Sequence, residues 1–404
     1  MRSLALLLVC LAVFYAAPIA AQVGSEGVRS EPFPKTEDNI HLEMVFNYQL
    51  AQSQLDTETG VVDVVWGSSW ATLPTGMYNS AYIPYSVDNF TYSVKWYKTN
   101  HPDWLEYICD KKHLAFEFGS RSLAPLDFSN PAVQAFQWAN WVDAPIASGY
   151  QSIAVDTMDL TNDWQRCGHY DSNGNWVQQY TGNADDSAFR HDVLEWESGT
   201  YHHVHRQSAT ATMQVNVTYH FGEPLADNQQ LMTTTDLLLD ERGFTNWGGP
   251  PNRPTPGQWR TIVSQLHYVQ SKGICYMTNG EEPALTQEIS RKARLWVIGN
   301  YLLVKNDCTY MYMTGFTAGG GQDYGRLITF PEYSIAIGHP IGAMEERQGV
   351  WGREYSNGLT LVNPYGSTAT FKLPSGNWVD INGKTVGPIL TMGERSAQVL
   401  LVGP

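Results

Sequence analysis

Eight short apolar runs, separated by stretches long enough for a helix, set the tightest limit on what this chain can fold into. They are "VVDVVWG" (61–67), "SAYIPYS" (80–86), "HLAFEFG" (113–119), "SIAVD" (152–156), "MQVNVTY" (213–219), "DLLLDE" (236–241), "GICYMTN" (273–279) and "TYMYMTG" (309–315). Several are continuous rather than alternating, as expected of parallel strands buried on both faces. Helix starts fall between them. Ser129 or Asn130 caps a helix with Pro131 at its first position, a second helix begins near Ser187, and a third, "TPGQWRTIVSQLHYVQSKG", stops at Gly273. Eight such units in about 260 residues predict an α/β chain closed as a (β/α)8 TIM barrel. An open doubly wound sheet is the alternative. However, no GxGxxG or phosphate loop follows a strand, which takes away the usual nucleotide site.

From about residue 349 the pattern becomes short alternating strands broken by "SNG", "PSG" and "ING" turns. That predicts a small antiparallel, β-sandwich-like module, too small to bury much alone and therefore docked on the barrel. The expected organisation is a signal peptide at 1–21, a lead-in at 22–59, a catalytic barrel at 60–345 and the β-module at 346–404. The leader "MRSLALLLVCLAVFYAAPIAA" has one Arg, an apolar run of roughly a dozen residues and a small-residue end, with cleavage expected near Ala21–Gln22. No later stretch approaches the ~20 apolar residues of a membrane span, so the expected location is secreted or extracellular.

The formal net charge is −15, one unit more negative once Arg2 leaves with the signal peptide, and no basic stripe offsets it. Such a surface repels nucleic acid and anionic membranes. Cys109, Cys167, Cys275 and Cys308 lack CxxC spacing, which argues against a zinc ribbon; in an oxidising compartment they allow up to two disulfides in three pairings. "NFT" at Asn89 and "NVT" at Asn216 are glycosylation sequons, and Asn89 is favoured because Asn216 lies in a strand-like run.

Barrel chemistry sits at the C-terminal ends of strands. "GYQSIAVDTMDL" runs a buried strand straight into Asp156, and "DLLLDERGFTNWGG" ends strand six on Asp240 and Glu241. Two carboxylates at one mouth are what glycosidic cleavage needs, one to protonate the departing oxygen and one to attack or to activate water. Glu241 is preferred over Asp240, which is free to point the other way. Glu117, read as the end of strand three, is a candidate substrate-binding carboxylate; Asp88 and Asp127 are read as loop-organising, with substrate contact as the alternative, and Asp159 as orienting a loop. With aromatics at 12% of residues, Trp66, Trp164, Tyr219 and Trp247 are candidate stacking surfaces for sugar rings, beside the plain reading of core packing. His202, His203 and His205 in "YHHVH" lack the i, i+4 spacing of a zinc helix, and no GxSxG occurs.

The motifs "NHPDWLEYICD", "PLDFSNPAV", "GYQSIAVDTMDLTNDWQRCGHY" and "DDSAFRHDVLEW", in this order, resemble the secreted hypothetical glycosyl hydrolase family 15. "REYSNGLTLVNPYG" and "WVDINGKTV" are similar to the β-module behind many glycosidase barrels. The resemblance implies a TIM-barrel glycosidase whose strand-four acid is Asp156, without implying a substrate. It also implies Asn after that acid, where this chain has Thr157. Acids on strands four and six further resemble α-galactosidase-type barrels, which work with retention.

The expectation is a secreted glycoside hydrolase acting on a polysaccharide or glycan. Asp156 is nucleophile, or base if the enzyme inverts, Glu241 is general acid, and no metal or organic cofactor is required. A non-catalytic carbohydrate-binding barrel is the alternative, favoured if the acids stand far apart or in salt bridges. A metal-dependent deacetylase would need converging His and Asp.

Overall fold

Eight parallel strands close on themselves in the computed structural model, which describes residues 33–46, 60–69, 71–73, 76–217, 224–246, 252–325 and 328–404. They are β1 (Leu42–Val45), β2 (Val62–Ser68), β3 (Tyr78–Pro84), β4 (Ser152–Met158), β5 (Thr212–Val217), β6 (Leu237–Asp240), β7 (Cys275–Leu285) and β8 (Thr309–Phe316). Each pairs with its chain neighbours and β8 returns to β1, so the predicted (β/α)8 barrel stands. Its interior is filled by Val64, Trp66, Tyr78, Ala154, Leu239, Met277, Tyr310 and Tyr312, all at most 4% exposed. It is a packed core with no pore.

Two strand assignments change. The run 113–119 is not a barrel strand: it makes one bridge, Tyr107 to Leu114, and ends in the single turn Glu117–Gly119, where Phe118 has φ +50°. The vacant place is taken by β1, inside the segment expected to be lead-in. Four residues carrying a charge make a weak strand signal. Glu43 is nevertheless 2% exposed, and burial pushes its carboxyl well above its ordinary range, towards the neutral form. The two changes cancel in the count, so Asp156 is still on strand four and Glu241 still follows strand six.

The helices used below are α1 (Val94–Asn100), α2 (Pro131–Gln137), α3 (Ser187–Gln207), α4 (Leu225–Thr233), α5 (Pro256–Ser271) and α6 (Arg291–Val304). Asn130, not Ser129, caps α2 by accepting from the Ala132 amide. Thr255 and Gln258 form a reciprocal capping box on α5, and Gly273, at φ +77°, ends that helix by donating to Gln270 O. No described helix is long and apolar enough to cross a membrane.

The long β3–β4 connection folds over the mouth. Its Tyr107–Ile108 pairs with Arg166–Tyr170 from the β4–α3 connection, which pairs on its other edge with Trp176–Gln178. Cys109–Cys167 clamps these two excursions together, while Cys275–Cys308 joins the N-terminal ends of β7 and β8. The residues from Glu345 onward form a six-stranded antiparallel sheet and a two-stranded partner sheet. This module shares one core cluster with the barrel through Val362, Ala397 and Val399. Helix α6 lies between barrel and sheet and is buried nearly all round, as a helix apolar on every face must be.

Candidate active site

Asp156, near the C-terminal end of β4, is half-buried and collects three donors. The Thr157 amide reaches Oδ1 at 2.8 Å, Asn216 Nδ2 reaches the same oxygen at 2.9 Å, and the Tyr82 hydroxyl reaches Oδ2 at 3.1 Å. Burial raises its pKa, and the three hydrogen bonds act against that rise by favouring the carboxylate. Thr157 sits at φ +59°, a left-handed conformation unfavourable for a β-branched residue and better tolerated by Asn. The bond to Asp156 comes from the backbone, so it survives the Asn-to-Thr departure noted above.

Glu241 directly follows β6. It accepts from Asn216 Nδ2 at 2.8 Å and from the Tyr324 hydroxyl at 2.8 Å, and burial, then the charge of Asp156, raise its pKa. One amide nitrogen on β5 thus donates to both carboxylates. The two hydrogens of a planar amide diverge by about 120°, so the oxygens they reach stand roughly 5 Å apart. Neighbouring residues on a strand face opposite sides, and Asp240 accordingly turns away. It accepts from Gly243 N at 2.9 Å and Tyr276 Oη at 2.9 Å and so serves the turn, outside the bridge that Asn216 makes between Asp156 and Glu241. Gly243 lets that turn form: at φ +49°, a Cβ there would lie 1.9 Å from the Asn279 carbonyl oxygen.

Three further residues join the cluster unannounced. From β7, Asn279 Nδ2 donates to Tyr324 Oη at 2.9 Å and to Glu281 Oε1 at 3.3 Å. Tyr324 also hydrogen-bonds Glu281, which is 1% exposed and whose carboxyl burial pushes up to about 7. The signal for Glu281 was the one that found Asp156, a buried strand running into an acid. It was missed because β7 was expected to stop at residue 279.

The other candidates separate as follows. Glu117 is 3% exposed, and its Oε1 is held by Arg166 at 2.8 Å and by Ser86; Arg166 also pairs with Glu106. Its carboxylate is thus committed to Arg166 and Ser86, and its charge adds to the rise of the Asp156 pKa. Asp88 is fully buried and accepts from the amides of Phe90, Thr91 and Tyr92 and from Tyr97 Oη, so it is a loop organiser. Trp66 is fully buried beneath the site against Phe46 and Tyr82. Trp164 is half-buried and packs on Phe118, 67% exposed, with ring centroids 4.8 Å apart. Tyr219 and Trp247 lie outside the described residues. Asn89 is exposed, whereas Asn216 is 5% exposed with its amide committed to two carboxylates, which closes that sequon to a glycan. His203 and His205 pair with different carboxylates, Asp143 and Asp236, and do not converge.

No family model matches the chain, and no curated protein matches it. Solved structures do. Eubacterium rectale Amy13B aligns over 92% of this chain and 97% of its own at 8% identity, with a TM-score of 0.50. The fold is one that glycoside hydrolases use. An α-amylase from Anoxybacillus aligns over 91% of this chain and 98% of its own at 11% identity, TM-score 0.48. A GH31 dextranase from Flavobacterium johnsoniae aligns over 90% of this chain and 51% of its own at 10% identity, TM-score 0.46.

Proposed function

We propose that this chain is a glycoside hydrolase that cleaves an O-glycosidic bond of a polysaccharide or glycan with retention of anomeric configuration. The observation that carries the reading is the Asn216 amide bridging Asp156 and Glu241. It sets the carboxyl groups near the ~5–5.5 Å separation of retaining enzymes, too close for the intervening water of an inverting one. Asp156, with three donors favouring its charge, attacks the anomeric carbon. Glu241, with its raised pKa, gives its proton to the departing oxygen and then takes one from the water that releases the glycosyl ester.

Among the described residues neither acid stands in an ion pair, which is the arrangement a non-catalytic binding barrel would tolerate. The Phe118–Trp164 pair, in the connections that follow β3 and β4, offers an exposed aromatic face to a sugar ring. Membership of hypothetical glycosyl hydrolase family 15 rests on the motifs alone. Export through residues 1–21 and a glycan on Asn89 belong to the same proposal, and the two disulfides fit an oxidising compartment.

The test is reducing-sugar release from a panel of α- and β-linked polysaccharides, with proton NMR of the first-formed anomer. Wild type should release sugar with retention, and Asp156→Asn should lose at least about 10³-fold in turnover while remaining folded. A folded Asp156→Asn variant with full activity would remove Asp156 from the chemistry. Inversion of the product would remove its role as nucleophile.

A further inference from the structure

Around the Tyr324 hydroxyl stand three hydrogen-bond partners and one proton. Asn279 Nδ2 donates to Oη at 2.9 Å, which leaves the phenol one further lone pair and its own hydrogen. Two carboxyl oxygens compete for that hydrogen, Glu241 Oε1 at 2.8 Å and Glu281 Oε1 on the other side. One phenolic hydrogen cannot serve both. If both carboxyls were ionised, one of the two contacts would press a bare anion against an oxygen lone pair. The geometry closes only when one carboxyl carries a proton and donates it to the phenol.

Glu281 is the group placed to hold it. It is 1% exposed and its Oε2 has no hydrogen-bond partner among the described residues, while the adjacent residue Glu282 pairs with Arg253 at 2.6 Å. Burial and the charge of Glu241 favour its neutral form against the donors Tyr324, Gln322 and Asn279, and among the described residues no ion pair reaches it. Glu241 differs in its second donor, the Asn216 amide at 2.8 Å, which is closer than the 3.3 Å contact from Asn279 to Glu281.

We propose that Glu281 and Tyr324 are positioning residues that hold a proton in reserve for Glu241 and pass it along a hydrogen-bonded chain. The proposal rests on the assignment of Glu241 as acid and base made above. In the transfer, the Glu281 O–H bond breaks as its proton binds Tyr324 Oη, and the phenolic O–H breaks as its proton binds Glu241 Oε1. Glu281 ends as carboxylate and Glu241 as carboxylic acid, with Tyr324 neutral before and after. No proton is drawn from bulk water, and the reverse transfer resets the pair when Glu241 acts as base. Burial holds the Glu281 carboxyl near pH 7, where such a reserve is usable.

The test uses the full-length protein with Glu281→Gln and Tyr324→Phe. An ionised Glu281 is a buried negative charge that raises the pKa of Glu241. Gln removes it, so the alkaline limb of the kcat/KM profile should move to lower pH by about one unit. Phe removes a donor that favours the Glu241 carboxylate, so the limb should move to higher pH, with kcat down about tenfold from the broken chain. Shifts in opposite directions support the proposal. Profiles lowered in height with limbs unmoved in both variants would make these residues merely structural and overturn it. Infrared difference titration supplies a readout independent of turnover: subtracting the Glu281→Gln titration from that of wild type removes the shared signal of Glu106, which burial also raises to about 7, and should leave one buried carboxyl C=O band that disappears near neutral pH. No band left after the subtraction would also overturn the proposal. The expected band together with no sugar release by wild type would sink the glycosidase reading alone.

Discussion

The two ends of the barrel are built on opposite principles. At the N-terminal end of the strands, rings, hydroxyls and a disulfide cross-link the elements. Phe33 packs tilted against Tyr78 with ring centroids 4.6 Å apart, Tyr78, Thr212 and Ser152 share a hydroxyl chain, Tyr310 donates to Pro34 O, and Cys275–Cys308 ties β7 to β8. At the C-terminal end three carboxyls lie in one network with two phenols and two amides. There Asn216 Oδ1, Asn279 Oδ1 and Glu281 Oε2 are buried without partners among the described residues, and Thr157 holds a strained backbone. The closed end contributes stability, whereas the mouth gives stability up to keep acids close together in a dry place.

That division can be broken experimentally, with the bottom clamp expected to give the largest effect. Cys275→Ala with Cys308→Ala opens a loop of sequence separation 33. It should lower unfolding free energy by about 4 kcal/mol, read from denaturant midpoints, with sugar release per folded molecule unchanged. Lost turnover in the still-folded variant would mean the two ends are not independent. Asn216→Ala should do the reverse. With the bridge gone, the carboxylates move apart and turnover should fall about 10²-fold, worth about 2.7 kcal/mol of barrier, while the denaturation midpoint moves little. A stability loss matching that of the disulfide variant would instead make Asn216 a barrel-filling residue. The smallest effect is expected at Thr157→Asn, which relieves left-handed strain and should raise stability by about 1 kcal/mol with the Asp156 contact kept. No gain in thermal midpoint would show that the strain lies elsewhere.

The architecture was legible because a strand buried on both faces needs an uninterrupted apolar run, and Pro, Gly and Asn mark where helices start and stop. Asp156 was legible for the same reason, as a charge at the end of such a run. Leu42–Val45 was not, since four residues with Glu43 among them resemble a strand only once seven others leave a gap for an eighth. Glu117 misled because its alternating surroundings reflect packing under the cap, where Arg166, distant in sequence, claims its carboxylate.

What the sequence determined alone was the run of barrel elements, the β-module and the strand-end acids at position 156 and at 240–241, all consequences of local periodicity. Only tertiary structure decided which of two adjacent acids faces the mouth, that a sequon asparagine bridges the carboxylates, and that Glu281 and Tyr324 stand beside them. Those facts depend on the register of separate strands around a closed ring. A shift of one residue in any strand would turn each of these side chains to the other face.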